Sequence, residues 1–134
     1  MSTSGTYEEL LSCGGKLKVT KSSWEIVYYF PGPDLRHNGT FVSIPGKSIQ
    51  QYIDAYTENW LEYQKLKESI PCGADFSKDV KMGMSIRIGR FNEGVCLRSY
   101  HMPISSTERL NLVLDGYRYS AKRVPEIQKF LATL

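Results

Sequence analysis

The chain has 134 residues, 41% apolar and 23% charged, ordinary globular proportions that exclude a disordered chain, a collagen-like repeat and a disulfide scaffold. At this length one domain hides roughly two thirds of its extended surface, so no metal or disulfide staple is required. No apolar run approaches the ~18 residues that span a bilayer, and the net charge is a modest +3.

Residues 1–15 carry Glu8 and Glu9, no basic residue and only two adjacent leucines. They read as a flexible start, neither a secretory signal nor an Arg-rich transit peptide. Cys13, Cys72 and Cys96 are odd in number, far apart and without a C-x-x-C pair, so three thiols in an intracellular setting, cytoplasmic or nuclear, are expected. Residues 16–30, KLKVTKSSWEIVYYF, read as a strand. Alternation from Trp24 puts Trp24, Ile26, Tyr28 and Phe30 on one face, and Glu25, Val27 and Tyr29 on the other. Residues 31–39 are dense in Pro, Gly and Asn and form a long turn. Asn38-Gly39-Thr40 fits a glycosylation sequon, but without a signal sequence it reads as a tight turn. Residues 40–44 form a second strand, ended by Pro45-Gly46.

Ser48 can cap a helix over 48–69. Ile49, Tyr52, Ile53, Tyr56, Trp60, Tyr63 and Leu66 recur at three and four residues as one apolar stripe. The aromatic surface of Tyr52, Tyr56, Trp60 and Tyr63 is large for a small core, so it is expected to be core or the contact of a homodimer. Residues 71–78 read as a loop and hinge. Residues 84–91 and 95–102 read as strands joined by Asn92-Glu93-Gly94. Ser105 with Glu108 makes a capping box, opening a helix through Leu110, Val113, Leu114 and Tyr117. Pro125 either starts a terminal helix or sits inside one continuous helix. The expected fold is α+β, with antiparallel strands and amphipathic helices in two strand-helix halves around one core. The halves, 16–69 and 81–134, are joined at 70–80 and read as a pseudo-repeat, with Ile53-Asp54-Ala55-Tyr56 and Leu114-Asp115-Gly116-Tyr117 at matching places.

Chemistry is sparse. Pro45-Gly46-Lys47-Ser48 lacks the earlier glycine of a phosphate-binding loop, because position 41 is Phe, which excludes nucleotide hydrolysis there. His37 and His101 are distant in sequence, so no metal site and no cofactor are expected. Alternation sets Cys96 and His101 on opposite strand faces, and no nucleophile elbow is present.

Charge distribution is more informative. Residues 81–123 hold eight basic residues against Glu93, Glu108 and Asp115. Along the second hairpin Arg87, Arg90, Arg98 and Tyr100 interleave with apolar residues, and Arg118, Lys122 and Arg123 follow. Guanidinium groups neutralise phosphates and exposed rings stack on unpaired bases; Lys16, Lys18 and Lys21 extend the track. The bland account of the same residues is core rings and edge-strand gatekeeper charges. The expected function is non-catalytic binding of single-stranded or flexible DNA or RNA, without membrane contact. The alternatives are an adaptor for an acidic protein or peptide, and a small enzyme using His101.

The stretches WEIVYYFPG and NGTFVSIP, followed by an amphipathic helix, resemble the strand, loop, strand, helix unit of single-strand binders: the positive-cofactor coactivators, the Whirly proteins and the Pur proteins. MSIRIGRFNEGVCLRSY resembles a strand pair of the same kind. The resemblance implies a curved antiparallel sheet backed by helices, two paired units, and Arg87, Arg90, Arg98 and Tyr100 facing nucleic acid. It also implies that Trp24, Tyr56 and Trp60 are core or pairing surface. The chain departs from the pattern where the 48–69 helix interrupts the sheet, and in lacking a lysine-rich glycine turn before the second helix.

Overall fold

A computed structural model of the chain describes residues 5–30, 40–89, 93–97 and 104–134. Among them are β1 (Thr6–Leu10), β2 (Gly15–Thr20), β3 (Trp24–Phe30) and β4 (Thr40–Pro45), then a 3-10 turn (Gly46–Ser48) and α1 (Ile49–Ser69). β5 (Phe76–Val80), β6 (Met84–Ile88), β7 (Gly94–Leu97) and α2 (Thr107–Leu131) follow. The fold is α+β, with antiparallel sheets ordered β1-β2-β3-β4 and β5-β6-β7. No helix among the described residues is long and apolar enough to cross a membrane.

The chain divides into two compact units. Unit 1 is Met1–Ile49 with Asn111–Leu134, and unit 2 is Gln50–Leu110. These units are not the two halves expected from sequence: the first sheet shares its unit with the second helix, and the second sheet with the first helix. Residues 70–80, expected as the joint, lie inside unit 2 and supply β5.

In unit 1 the register sets Glu9, Leu17, Ile26 and Ile44 side by side across the sheet. Leu17, Val19, Ile26 and Ile44 are fully buried, while Lys16, Thr20 and Ser43 between them are exposed or half-exposed. That is the period-2 pattern of a sheet covered on one side. The cover is α2, whose Val113, Tyr117, Ser120, Val124, Ile127 and Leu131 recur at three and four residues and are buried. Tyr119 Oη donates to Glu9 Oε1 (2.7 Å), and Gln128 Nε2 donates to the Thr20 carbonyl (3.3 Å). Gly116 lies against Cys13, whose Sγ would stand 2.7 Å from any Cβ there.

Two expectations are corrected here, and one that the sequence left open is resolved. Residues 6–10 are a strand, not a flexible start, because β1 pairs with β2 along its length and Glu9 is tied to α2. The 16–30 strand is broken at 21–23, where Thr20 Oγ1 and Ser23 Oγ meet at 2.7 Å and the Thr20 N–H donates to the Ser23 carbonyl at 2.7 Å; hydroxyls turn the chain without glycine. Of the two placements the sequence allows for Pro125, the structure has the one inside a continuous α2, on its exposed side.

In unit 2, Ile86 lies between Lys78 and Val95, and Met84 between Val80 and Leu97. α1 covers that face, for Asn59 Nδ2 reaches Met84 Sδ (3.4 Å) and the Lys81 carbonyl (3.5 Å). Lys78 and Lys81 pair with Glu62 (2.5 Å) and Glu58 (2.6 Å) of the same helix. The β5–β6 turn runs through Met82 and Gly83, both left-handed (φ 60° and 69°), the twist that suits a tight hairpin. β6 ends at Ile88, short of the expected 91, whereas β7 starts at Gly94, one residue before the expected 95. The Ser106 hydroxyl, rather than Ser105, caps α2 by accepting from the Arg109 N–H (3.1 Å).

Candidate functional site

The residues of the anticipated basic surface belong to both units. Arg87, on β6 beside Ser77 and Gly94, is half-buried and has no carboxylate partner among the described residues. Arg118, Lys122 and Arg123 project from the part of α2 that belongs to unit 1. Arg90, Arg98 and Tyr100 lie outside the described residues, as do His37, His101 and the 31–39 turn. Arg118 pairs with Asp115 (3.4 Å) and Arg123 with Glu126 (2.9 Å), exposed i,i+3 pairs that contribute little to stability. The hydroxyls of Tyr119 and Tyr7 and the Glu126 carboxylate hold the Arg123 guanidinium firmly charged.

The excess of charge reappears once the units are separated. Unit 2 contains eight basic and eight acidic residues and is neutral; unit 1 contains nine and six, and so carries the whole +3. Every acid of unit 1 among the described residues is engaged. Glu8 pairs with Lys16 (3.4 Å), Glu9 accepts from Tyr7 (3.2 Å) and Tyr119, Glu25 accepts from Ser43, and Asp115 and Glu126 hold the arginines. Lys18, Lys21, Lys47, Lys122 and Lys129 have no ion pair among the described residues, and all but the half-exposed Lys18 are exposed.

No known protein family, curated protein or solved structure matches the chain.

The aromatic stripe of α1 turns inward. Tyr56, Trp60 and Tyr63 are 4%, 8% and 2% exposed, and Tyr52 is half-exposed. The first three are therefore core of unit 2 and not a dimer surface, because α1 needs that stripe to cover its own sheet. Trp24 does the reverse. Although its register neighbour Val19 is fully buried, its indole is half-exposed at the end of the sheet. None of the three cysteines is in a disulfide; Cys13 and Cys96 are buried, and Cys72 is exposed. Cys96 Sγ lies 3.4 Å from Ser85 Oγ. Among the described residues no three His, Cys, Asp or Glu side chains converge.

One polar cluster was not legible in the sequence. Tyr63 Oη donates to Glu93 Oε2 (2.8 Å), Lys67 Nζ pairs with the same oxygen (3.0 Å) and lies 5.9 Å from the Tyr63 ring centroid. The Trp60 ring is 5.1 Å away. An open groove of about 610 Å³ adjoins them, lined also by Gln64, Ser106 and Thr107. The i,i+4 spacing of Tyr63 and Lys67 hints at half the cluster, but Glu93 arrives from a hairpin thirty residues away.

Burial pushes the Glu93 carboxyl upward, yet the hydrogen bonds from Lys67 and Tyr63 prevail and hold it below its usual 4.5. Burial, then Glu93, raises Tyr63, and the Glu93 hydrogen bond raises Lys67. A depressed carboxylate means that the unfolded chain binds more protons, so this contribution is present above about pH 4.5 and disappears as pH falls through the folded value. Glu93→Gln is expected to flatten the loss of unfolding free energy between about pH 6 and pH 3 by roughly 0.5–1 kcal/mol, a value discounted for partial exposure. Urea unfolding at the two pH values measures this, and equal acid sensitivity of wild type and variant would contradict it.

Proposed function

We propose that the chain is a non-catalytic binder of single-stranded or flexible nucleic acid and that unit 1 supplies the principal phosphate contacts. The observation that carries this reading is the set of five lysines with no ion pair among the described residues, in a unit whose described acids are all engaged. Such a surface favours a polyanion over a neutral ligand and makes association strongly salt-dependent. Arg87, with Arg90, Arg98 and Tyr100 of the hairpin expected from sequence, remains a second proposed contact, and Arg87, which has no carboxylate partner among the described residues, suits that role.

A labelled, unstructured oligonucleotide titrated at several salt concentrations tests the proposal. Three to five phosphate contacts give a slope of log affinity against log salt of about −2 to −3.5 for a single strand. Arg87→Glu combined with Arg98→Glu is expected to weaken binding about tenfold or more at low salt, without lowering the melting temperature. Unchanged affinity would remove the hairpin from the contact. The absence of binding at low salt would overturn the nucleic-acid reading and favour an adaptor for an acidic partner.

A further inference from the structure

At one end of unit 1 the half-exposed Trp24 ring has close to it, in sequence and register, two of the lysines that have no ion pair among the described residues. Trp24 opens β3, and the register that pairs Glu25 with Pro45 brings it beside Gly46. Its indole rests on the Gly46 backbone so closely that a Cβ at that position would fall inside the ring. Gly46 is buried and Trp24 half-exposed, so part of the ring is fixed by packing while the rest meets water. Lys21 lies in the turn that leads into Trp24, and Lys47 follows Gly46 directly; both are exposed and have no ion pair among the described residues. The last turns of α2 reach the same end, because Gln128 bonds the Thr20 carbonyl, and the exposed Lys129 comes next. Glu25 is held by Ser43, next to Lys18 in the register, in the strand position that alternates with Trp24.

We propose that this end of unit 1 is a nucleotide subsite, in which an unpaired base stacks on the open part of the Trp24 indole while neighbouring phosphates lie against Lys21 and Lys47. The inference rests on the nucleic-acid reading above and deepens it. Lysines alone would serve any polyanion. A pre-positioned indole near them adds a stacking surface for what a single strand offers and an acidic peptide does not, a flat unpaired π-face. Because the ring is already immobilised on Gly46, little side-chain freedom is lost when the base arrives.

The test follows the full chain with two readouts, the anisotropy of a labelled oligothymidylate and the protein's own tryptophan fluorescence. Wild type should be quenched saturably, in step with the anisotropy. Trp24→Phe should lose most of that quenching, since the remaining Trp60 is buried, and should bind several-fold to about tenfold more weakly. Lys21→Glu with Lys47→Glu should weaken binding at least about tenfold at low salt. Polyphosphate and polyglutamate should displace the oligonucleotide without quenching. Binding by anisotropy with unchanged fluorescence and normal affinity in the lysine variant would overturn the subsite and leave the nucleic-acid reading standing. No binding by either readout would overturn both, and quenching by polyglutamate alone would assign the patch to an acidic peptide. Should Trp24→Phe not fold, the wild-type quenching and the exposed lysine pair still decide.

Discussion

Gly94→Ala should lower the unfolding free energy by about 3 kcal/mol or more, a large share of the 5–15 kcal/mol typical of a domain. Two independent costs combine at this position. Its φ of +132° lies where L side chains are rarely found, a strain of about 1–3 kcal/mol. The new Cβ would also collide with the backbone carbonyl of Ile104. That carbonyl cannot swing aside, because it accepts from the Val95 N–H (3.0 Å) while the Ile104 N–H donates to the Val95 carbonyl (2.7 Å). Overlap with a fixed group adds roughly another 1–3 kcal/mol. Gly83→Ala is the control: its φ is +69° and nothing lies within 4 Å of the added Cβ, so only about 1 kcal/mol is expected. Urea denaturation of the two variants should separate them clearly. If Gly94→Ala falls within about 1 kcal/mol of wild type, the close approach of Ile104 to β7 is wrong.

The elements legible in the sequence are those whose signals are local. The three- and four-residue recurrence of Ile53, Tyr56, Trp60 and Tyr63 marks α1, and the alternation of Trp24 and Ile26 marks β3, because a stripe or a face must be buried for either element to persist. The turn at 21–23 escapes notice because Lys21-Ser22-Ser23 contains neither Gly nor Pro, and the signal resides in hydroxyls that bond only after the chain has turned. β1 is hidden by Glu9, a carboxylate at an inward strand position that only the Tyr119 hydroxyl of α2, distant in sequence, explains. The excess of basic residues over 81–123 is real as a count, yet the fold assigns it to two units. Unit 2 is neutral because its eight basic residues are matched in number by eight acids, and Glu58 and Glu62 of α1 meet Lys81 and Lys78. Those are cross-element pairings between distant parts of the chain, and no spacing rule contains them. Trp24 illustrates the same gap from the other side: its pattern says core, whereas its place at the end of the sheet leaves it half in water.

A chain limited to residues 1–69 should show no cooperative unfolding transition, whereas residues 5–49 joined by a flexible linker to 111–134 should fold. The first fragment retains β1 to β4 but loses α2, the element that covers Leu17, Val19, Ile26 and Ile44. Leaving such a side chain in water forfeits about 1.5–3 kcal/mol, so four together match the entire stability of an ordinary domain. α1 does not supply an equivalent cover. Its buried stripe is built for the β5–β6–β7 face, and its acids are placed for Lys78 and Lys81, both absent from the fragment. The joined chain keeps the buried row, the Tyr119–Glu9 and Gln128–Thr20 bonds and the Gly116–Cys13 contact. At about 70 residues it is expected to be only marginally stable. Near-ultraviolet circular dichroism and urea titration distinguish the cases, because fixed aromatic packing and a sigmoidal transition appear only where a core closes. A cooperative transition in residues 1–69 would show that the first helix can serve the first sheet. The chain would then be two sequential strand-helix halves, and the assignment of +3 to a single unit would have to be redrawn.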